Sequence, residues 1–184
     1  MQKGKTKLGK IHSLNYRLEH HEVSWMSMAY ELKRTEELIY FDIIRTWDQI
    51  KIERLTGNYK PCVAAPDKVY FLIIGLAIEN LLKCIFLNRH PEIINEAKID
   101  DKRFKSHNLI NIACDDLKLK LNKDEKFLCD LGTKAIKWFG RYPMPLKQSE
   151  TFIAIETNKS EIHLAFHQFF ERLVTITKGK PVEI

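Results

Sequence analysis

The most constraining stretch of the chain runs from Val69 to Leu87. It is apolar nearly all round and is interrupted only by Gly75, Glu79, Asn80 and Lys83. A helix apolar on every side cannot lie on a surface and must be wrapped by other helices or by lipid. Lipid is disfavoured because the longest uncharged apolar run, Val69 to Ile78, has ten residues, where a span takes roughly 20. The segment therefore reads as the centre of a bundle, with no membrane partner. Pro66 suits its first turn, Asp67 puts a negative charge at the positive end of the dipole, and His90-Pro91 stops it.

The rest of the chain supplies the wrapping. From Glu22 to Leu55 there is no Gly or Pro, and Trp25, Ala29, Leu32, Ile39, Ile43, Trp47 and Ile50 recur at helical spacing. Thr56-Gly57-Asn58 closes this helix with a residue suited to the left-handed cap. After a polar link, 92–105, Ser106 is a candidate N-cap for a third helix bearing Leu109, Ile110, Ala113, Leu117 and Leu121. A fourth begins at Asn122 and carries Phe127, Leu128, Leu131, Ala135 and Trp138 up to Gly140. Pro143 and Pro145 hold Arg141 to Pro145 extended. The last helix starts near Asn158, with Glu161 completing a capping box. Ile162, Ala165, Phe166, Phe169, Phe170, Leu173 and Ile176 form its stripe, and Gly179-Lys180-Pro181 ends it.

No repeat and no strand pair breaks this pattern. The expectation is an all-α, up-and-down helical bundle of five or more helices over residues 13–184. A basic, flexible tail is expected over 1–12, where Lys3, Lys5, Lys7 and Lys10 cluster. The core should include Leu72, Leu76, Leu81, Ile85, Leu109, Leu131, Phe166 and Phe169.

The balance of 30 basic against 24 acidic residues leaves a net charge of +6. That favours anionic partners such as nucleotide or RNA, and equally fits plain solubility. Cys62, Cys84, Cys114 and Cys129 make no C-x-x-C pair, so reduced thiols and a cytoplasmic location are expected. The Lys-rich first ten residues have no apolar block behind them and do not read as a secretory signal. Seven scattered glycines leave no Gly-rich phosphate loop, and no cofactor is expected.

His163 and His167 lie four apart, a spacing metal sites use. With Glu171 they also form the polar face opposite the phenylalanines, and that solvated face is the favoured explanation, with no metal site expected. His12, His20 and His21 read as exposed. Glu79, Asn80 and Lys83 fit either a Glu79–Lys83 pair on the helix rim or a polar patch facing a groove. His107 sits at a helix start, where backbone amides favour an anion. Arg141 is held between a helix end and two prolines, and its guanidinium suits a carboxylate or phosphate. If the bundle joins those ends, a phosphate would sit between Arg141, His107 and free amides, with Glu79 or Asn80 lining the groove. The competing role for Arg141 is to anchor the loop on helix carbonyls.

Three segments in order resemble the HEPN (higher eukaryotes and prokaryotes nucleotide-binding) family. Ala77-Ile78-Glu79-Asn80-Leu81-Leu82-Lys83 is similar to its second helix, Ser106-His107-Asn108-Leu109 to the Gly-His-Asp-Leu start of the next helix, and Gly140-Arg141-Tyr142-Pro143 to the Ala-Arg-Tyr-Pro-Asp loop before the final helix. The resemblance covers about 67–178. It implies a helical bundle, often a homodimer, often beside a nucleotidyltransferase partner in toxin–antitoxin or defence systems. Members either cleave RNA or bind nucleotide or RNA. The ribonucleases carry an Arg followed, after four to six residues, by a His; no Arg here has that spacing. The resemblance therefore implies a nucleotide- or RNA-binding module first. A ribonuclease with a variant site, His107 as acid or base and Arg141 on phosphate, comes second. A purely protein–protein interaction bundle comes third.

Overall fold

The structure, a computed structural model, describes residues 7–58, 66–95, 98–99, 101–141 and 158–179. Cys62, the side chains of His12, His20 and His21, residues 1–6 of the expected tail and the expected extended stretch after Arg141 lie outside the described residues. Among the described residues the fold is an all-α bundle of five helices. Four are α-helices: α1 (Lys7–Leu55), α2 (Asp67–Arg89), α3 (Lys123–Lys134) and α4 (Lys159–Thr177). The fifth is a short π-helical turn, Asn111–Asp116, and a second π-helical turn, Ala135–Phe139, prolongs α3. Two two-residue strands, β1 (Ile94–Asn95) and β2 (Lys98–Ile99), pair antiparallel after α2, a small addition to the all-helical expectation.

The helices run up and down. Lys83 on α2 lies over the Trp25 ring and Tyr70 near Tyr40, so α1 and α2 are antiparallel. A Cβ at Gly140 would meet Leu72 while one at Gly132 would meet Gly75, so the chain through α3 descends against α2. Asp67 pairs with Lys159 and Asn88 reaches the Thr177 carbonyl, so α4 runs parallel to α2. α2 is the axis. Fifteen of its 23 residues are buried, which is why it tolerates so few polar side chains. By length and apolarity it would also pass as a membrane span, but most of it is enclosed by the other helices.

Several boundaries differ from the sequence reading. α1 begins at Lys7, so residues 7–12 are helical. Its buried seam is Ala29, Glu36, Ile43 and Ile50, a strict seven-residue step, while Trp47 is exposed. The third helix is shorter than expected: Lys118 takes φ 56° and ends it before Leu121. Its cap is Asn108, whose side chain accepts from Asn111 N, while Ser106 accepts from Asn108 N. Leu72 and Leu76 pack on the core but are only partly buried; the other six expected core residues are buried. Asn122 and Glu125 form the capping box of α3, and Asn158 caps α4 through Ser160 N. Arg172 of α4 donates to both oxygens of the buried Glu125 at 2.7 and 2.6 Å, tying α4 to α3. No disulfide joins Cys84, Cys114 and Cys129.

Between α2 and α3 the contact is glycine on glycine. A Cβ at Gly75 would stand 2.8 Å from Gly132 Cα and 2.9 Å from its carbonyl oxygen. Both atoms are backbone, so α2 or α3 itself would have to move. In an open helix, Gly→Ala stabilises by roughly 0.5–1 kcal/mol. Here the sign should reverse: Gly75→Ala and Gly132→Ala should each cost about 1–3 kcal/mol in urea denaturation. A gain in stability from either would show that the two helices are not in contact.

Candidate functional site

Two of the four expected site residues meet. Glu79, on the buried flank of α2, accepts from His107 Nδ1 at 3.0 and 3.2 Å. The same carboxylate pairs with Lys83, one turn further along the helix. The pair is therefore buried, with Glu79 and Lys83 side chains 6% and 8% exposed, not on the rim. Lys83 also lies over the Trp25 and Phe104 rings at 5.7 and 5.2 Å, and those two rings pack edge to face. A cation between two aromatic faces and a carboxylate has its charge matched without water. The outcome is a Lys83–Glu79–His107 relay that begins in the core and ends on a half-exposed imidazole, 53% open to solvent.

The remaining expectations separate. Asn80 is buried and its amide donates to the Leu76 carbonyl of its own helix at 2.7 Å, so it lines no groove. The amides near His107 are taken: Leu109 N donates to Thr133 Oγ1 at 2.9 Å and Asn111 N to Asn108 Oδ1. Arg141 is exposed and donates to the Ile136 carbonyl at 3.3 Å, the anchoring geometry weighed as its alternative. Gly140 beside it packs on Lys68 and Leu72. Leu72 and Glu79 are seven residues apart on α2, about 10 Å at helical rise. His107 and Arg141 thus sit at different levels of the bundle.

A second polar group lies deeper. Glu36 of α1 is fully buried in that helix's inner seam and reaches α4. His163 Nδ1 lies 2.8 Å from its Oε1 and His167 Nε2 3.1 Å from its Oε2. The two histidines are 24% exposed and face inward, which corrects the solvated face expected for them; Glu171 alone of that row is exposed. Tyr40 stacks on His163 with ring centres 3.9 Å apart and planes 3° from parallel, and its hydroxyl is 3.1 Å from Ser160 Oγ. Tyr70 is buried beside Glu36; burial first, then the carboxylate charge, raises its phenol far above the usual range. Its hydroxyl faces that carboxylate. The signal for this group was in the sequence: Glu36 falls midway between Ala29 and Ile43, a charged residue at an apolar position of the seven-residue seam.

No protein family, curated protein or solved structure matches this chain. Its reading therefore rests on its own residues.

The relay makes a stability prediction. Lys83→Met leaves Glu79 buried without its cation and should cost about 3–5 kcal/mol. The double variant Glu79→Met, Lys83→Met removes both charges and should recover most of that loss. Urea melts of the three proteins measure the coupling, and additive single and double effects would mean that the pair is not formed.

Proposed function

We propose that this chain is a HEPN-like module that binds RNA or nucleotide without cleaving it through the usual Arg/His pair. One observation carries the reading. Glu79 and His107 come from two separate motifs, 28 residues apart, and they are in hydrogen-bond contact. Two chance matches have no reason to meet. The buried carboxylate fixes the imidazole, whose outer nitrogen is left to face a phosphate or a base edge. Lys102, Arg103 and Lys105 are exposed in the turn just before it, although Arg103 is held by Asp101 at 2.7 Å. The net charge of +6 draws a polyanion towards this edge. Arg141 and His107 sit at different levels of the bundle, an arrangement that suits an extended RNA. The reading carries a cytoplasmic location with it.

Fluorescence anisotropy with a labelled single-stranded RNA, beside a titration with ATP, tests this. RNA should bind, with affinity falling linearly in log salt, and should be recovered intact. Lys102→Glu with Lys105→Glu should weaken binding about tenfold or more. No binding at low salt would end the proposal. Shortened RNA products that vanish in His107→Ala would move the reading to a ribonuclease with a variant site.

The proposed assembly is a homodimer through α1. Leu38, Phe41, Ile52 and Leu55 are 66%, 68%, 61% and 88% exposed. At about 100° per residue they fall within roughly a third of the helix circumference, opposite the buried seam. An apolar stripe on the outer face of a helix whose inner face is already buried marks a surface for another protein. Light scattering should give a dimer mass, and Leu38→Glu with Phe41→Glu should give a monomer. A parent protein that is monomeric at tens of micromolar would refute this.

A further inference from the structure

We infer that Glu36, His163 and His167 form a binding site for one divalent transition-metal ion of the zinc type, bridging α1 and α4. The site lies apart from the Glu79–His107 pair and does not rest on the RNA reading. Three ligand atoms, one carboxylate oxygen and two imidazole nitrogens, lie within 4.8 Å of one another. Two nitrogens and one oxygen from protein, with a place left for water, is a donor set that zinc and neighbouring first-row ions favour.

The distances fit such an ion. With bonds of about 2.0–2.1 Å, the ligand atoms of a tetrahedral ion stand roughly 3.3 Å apart. Here each nitrogen lies against its own oxygen of the Glu36 carboxylate, at 2.8 and 3.1 Å, and one of those oxygens with both nitrogens falls within 4.8 Å, so side-chain shifts of about 1 Å gather the set around an ion. The ion would bind each ring through the lone pair of the nitrogen that faces Glu36, and each neutral imidazole would keep its one proton on the other ring nitrogen.

Preorganisation is the second argument. His163 and His167 are one helical turn apart on α4, so a single rigid element aims both rings. The stacked Tyr40 holds the His163 plane. Charge is the third. Glu36 is fully buried, and its hydrogen-bond partners among the described residues are the two histidines. Lys33, on the same helix, is held by Glu37 at 2.8 Å. Glu37 itself adds a second negative group 3.9 Å from His167. A buried carboxylate without a fixed cation is costly, and a divalent ion offsets it.

The test uses the full chain, stripped with a chelator and titrated with Zn²⁺ and with Co²⁺. Calorimetry should give one ion per chain, and Co²⁺ should show the intense visible bands of a tetrahedral site. His163→Ala and His167→Ala should each weaken binding at least about hundredfold, while His107→Ala leaves it unchanged. If either alanine variant fails to fold, the glutamine variant at that position is measured instead, with Glu36→Gln expected to lose the ion while keeping the helical circular dichroism. Absence of binding at millimolar metal overturns the site. So does binding that survives unchanged in folded His163 and His167 variants, because the ion would then sit elsewhere.

Discussion

α2 has to be enclosed, and the remainder of the bundle follows from how that is done. Its buried faces carry Tyr70, Phe71, Ile74, Ile78, Leu81, Leu82, Ile85 and Phe86. Covering them takes a long helix on one side and shorter ones on the others. The approach of α3 is set by Gly75 against Gly132, where neither helix has a side chain. That contact brings backbones together, and Leu109 then reaches Gly132 while its amide bonds Thr133. One pair of glycines thus decides the spacing of α2 and α3 and the seat of the segment that carries His107.

The same enclosure forces every polar side chain on the inner faces to find a partner. Two carboxylates show two solutions. Glu79 is matched by a lysine on its own helix, and the pair is shielded by Trp25 and Phe104. Its charge is settled locally, so its bond to His107 serves to aim the imidazole. Glu36 is matched by two histidines from another helix, and among the described residues no lysine or arginine bonds it. Its partners are fixed in place but not in charge. The first arrangement is finished as it stands, while the second is the one a cation completes.

Much of this was legible in the sequence, and the failures have physical causes. Helical period, Gly57 and Gly179 as left-handed stops, and Asn122 and Asn158 as caps gave the helices and most of their ends. These signals are local, so a single chain carries them. The Glu79–Lys83 pair was readable too, since it lies within one helix. What escaped was contact between helices. The apolar pattern of α1 does not single out Glu36, because its seam position matters only once another helix faces it. His163 and His167 looked solvated because they flank the phenylalanine stripe, and the stripe alone does not tell on which side α1 packs. Arg141 and His107 were joined on chain order, which gives no height along α2. The Gly75–Gly132 approach left no mark but a glycine in an apolar run.

α1 links these separate features. At ~73 Å it is about twice the length of α2, by 49 residues against 23. It therefore cannot be covered along its whole length by α2 and α4. Its inner seam is held at two heights, by Trp25 against Phe104 and by Tyr40 against Tyr70 and His163. Glu36 lies between them and is the polar tie to α4. Whatever occupies that tie fixes the rotation of α1 about its own axis. The outer stripe of Leu38 and Phe41 begins two residues beyond Glu36, on the opposite face of the same turn. A rigid helix transmits rotation without loss over so short a distance. The direction in which that stripe faces is therefore set by the geometry around Glu36.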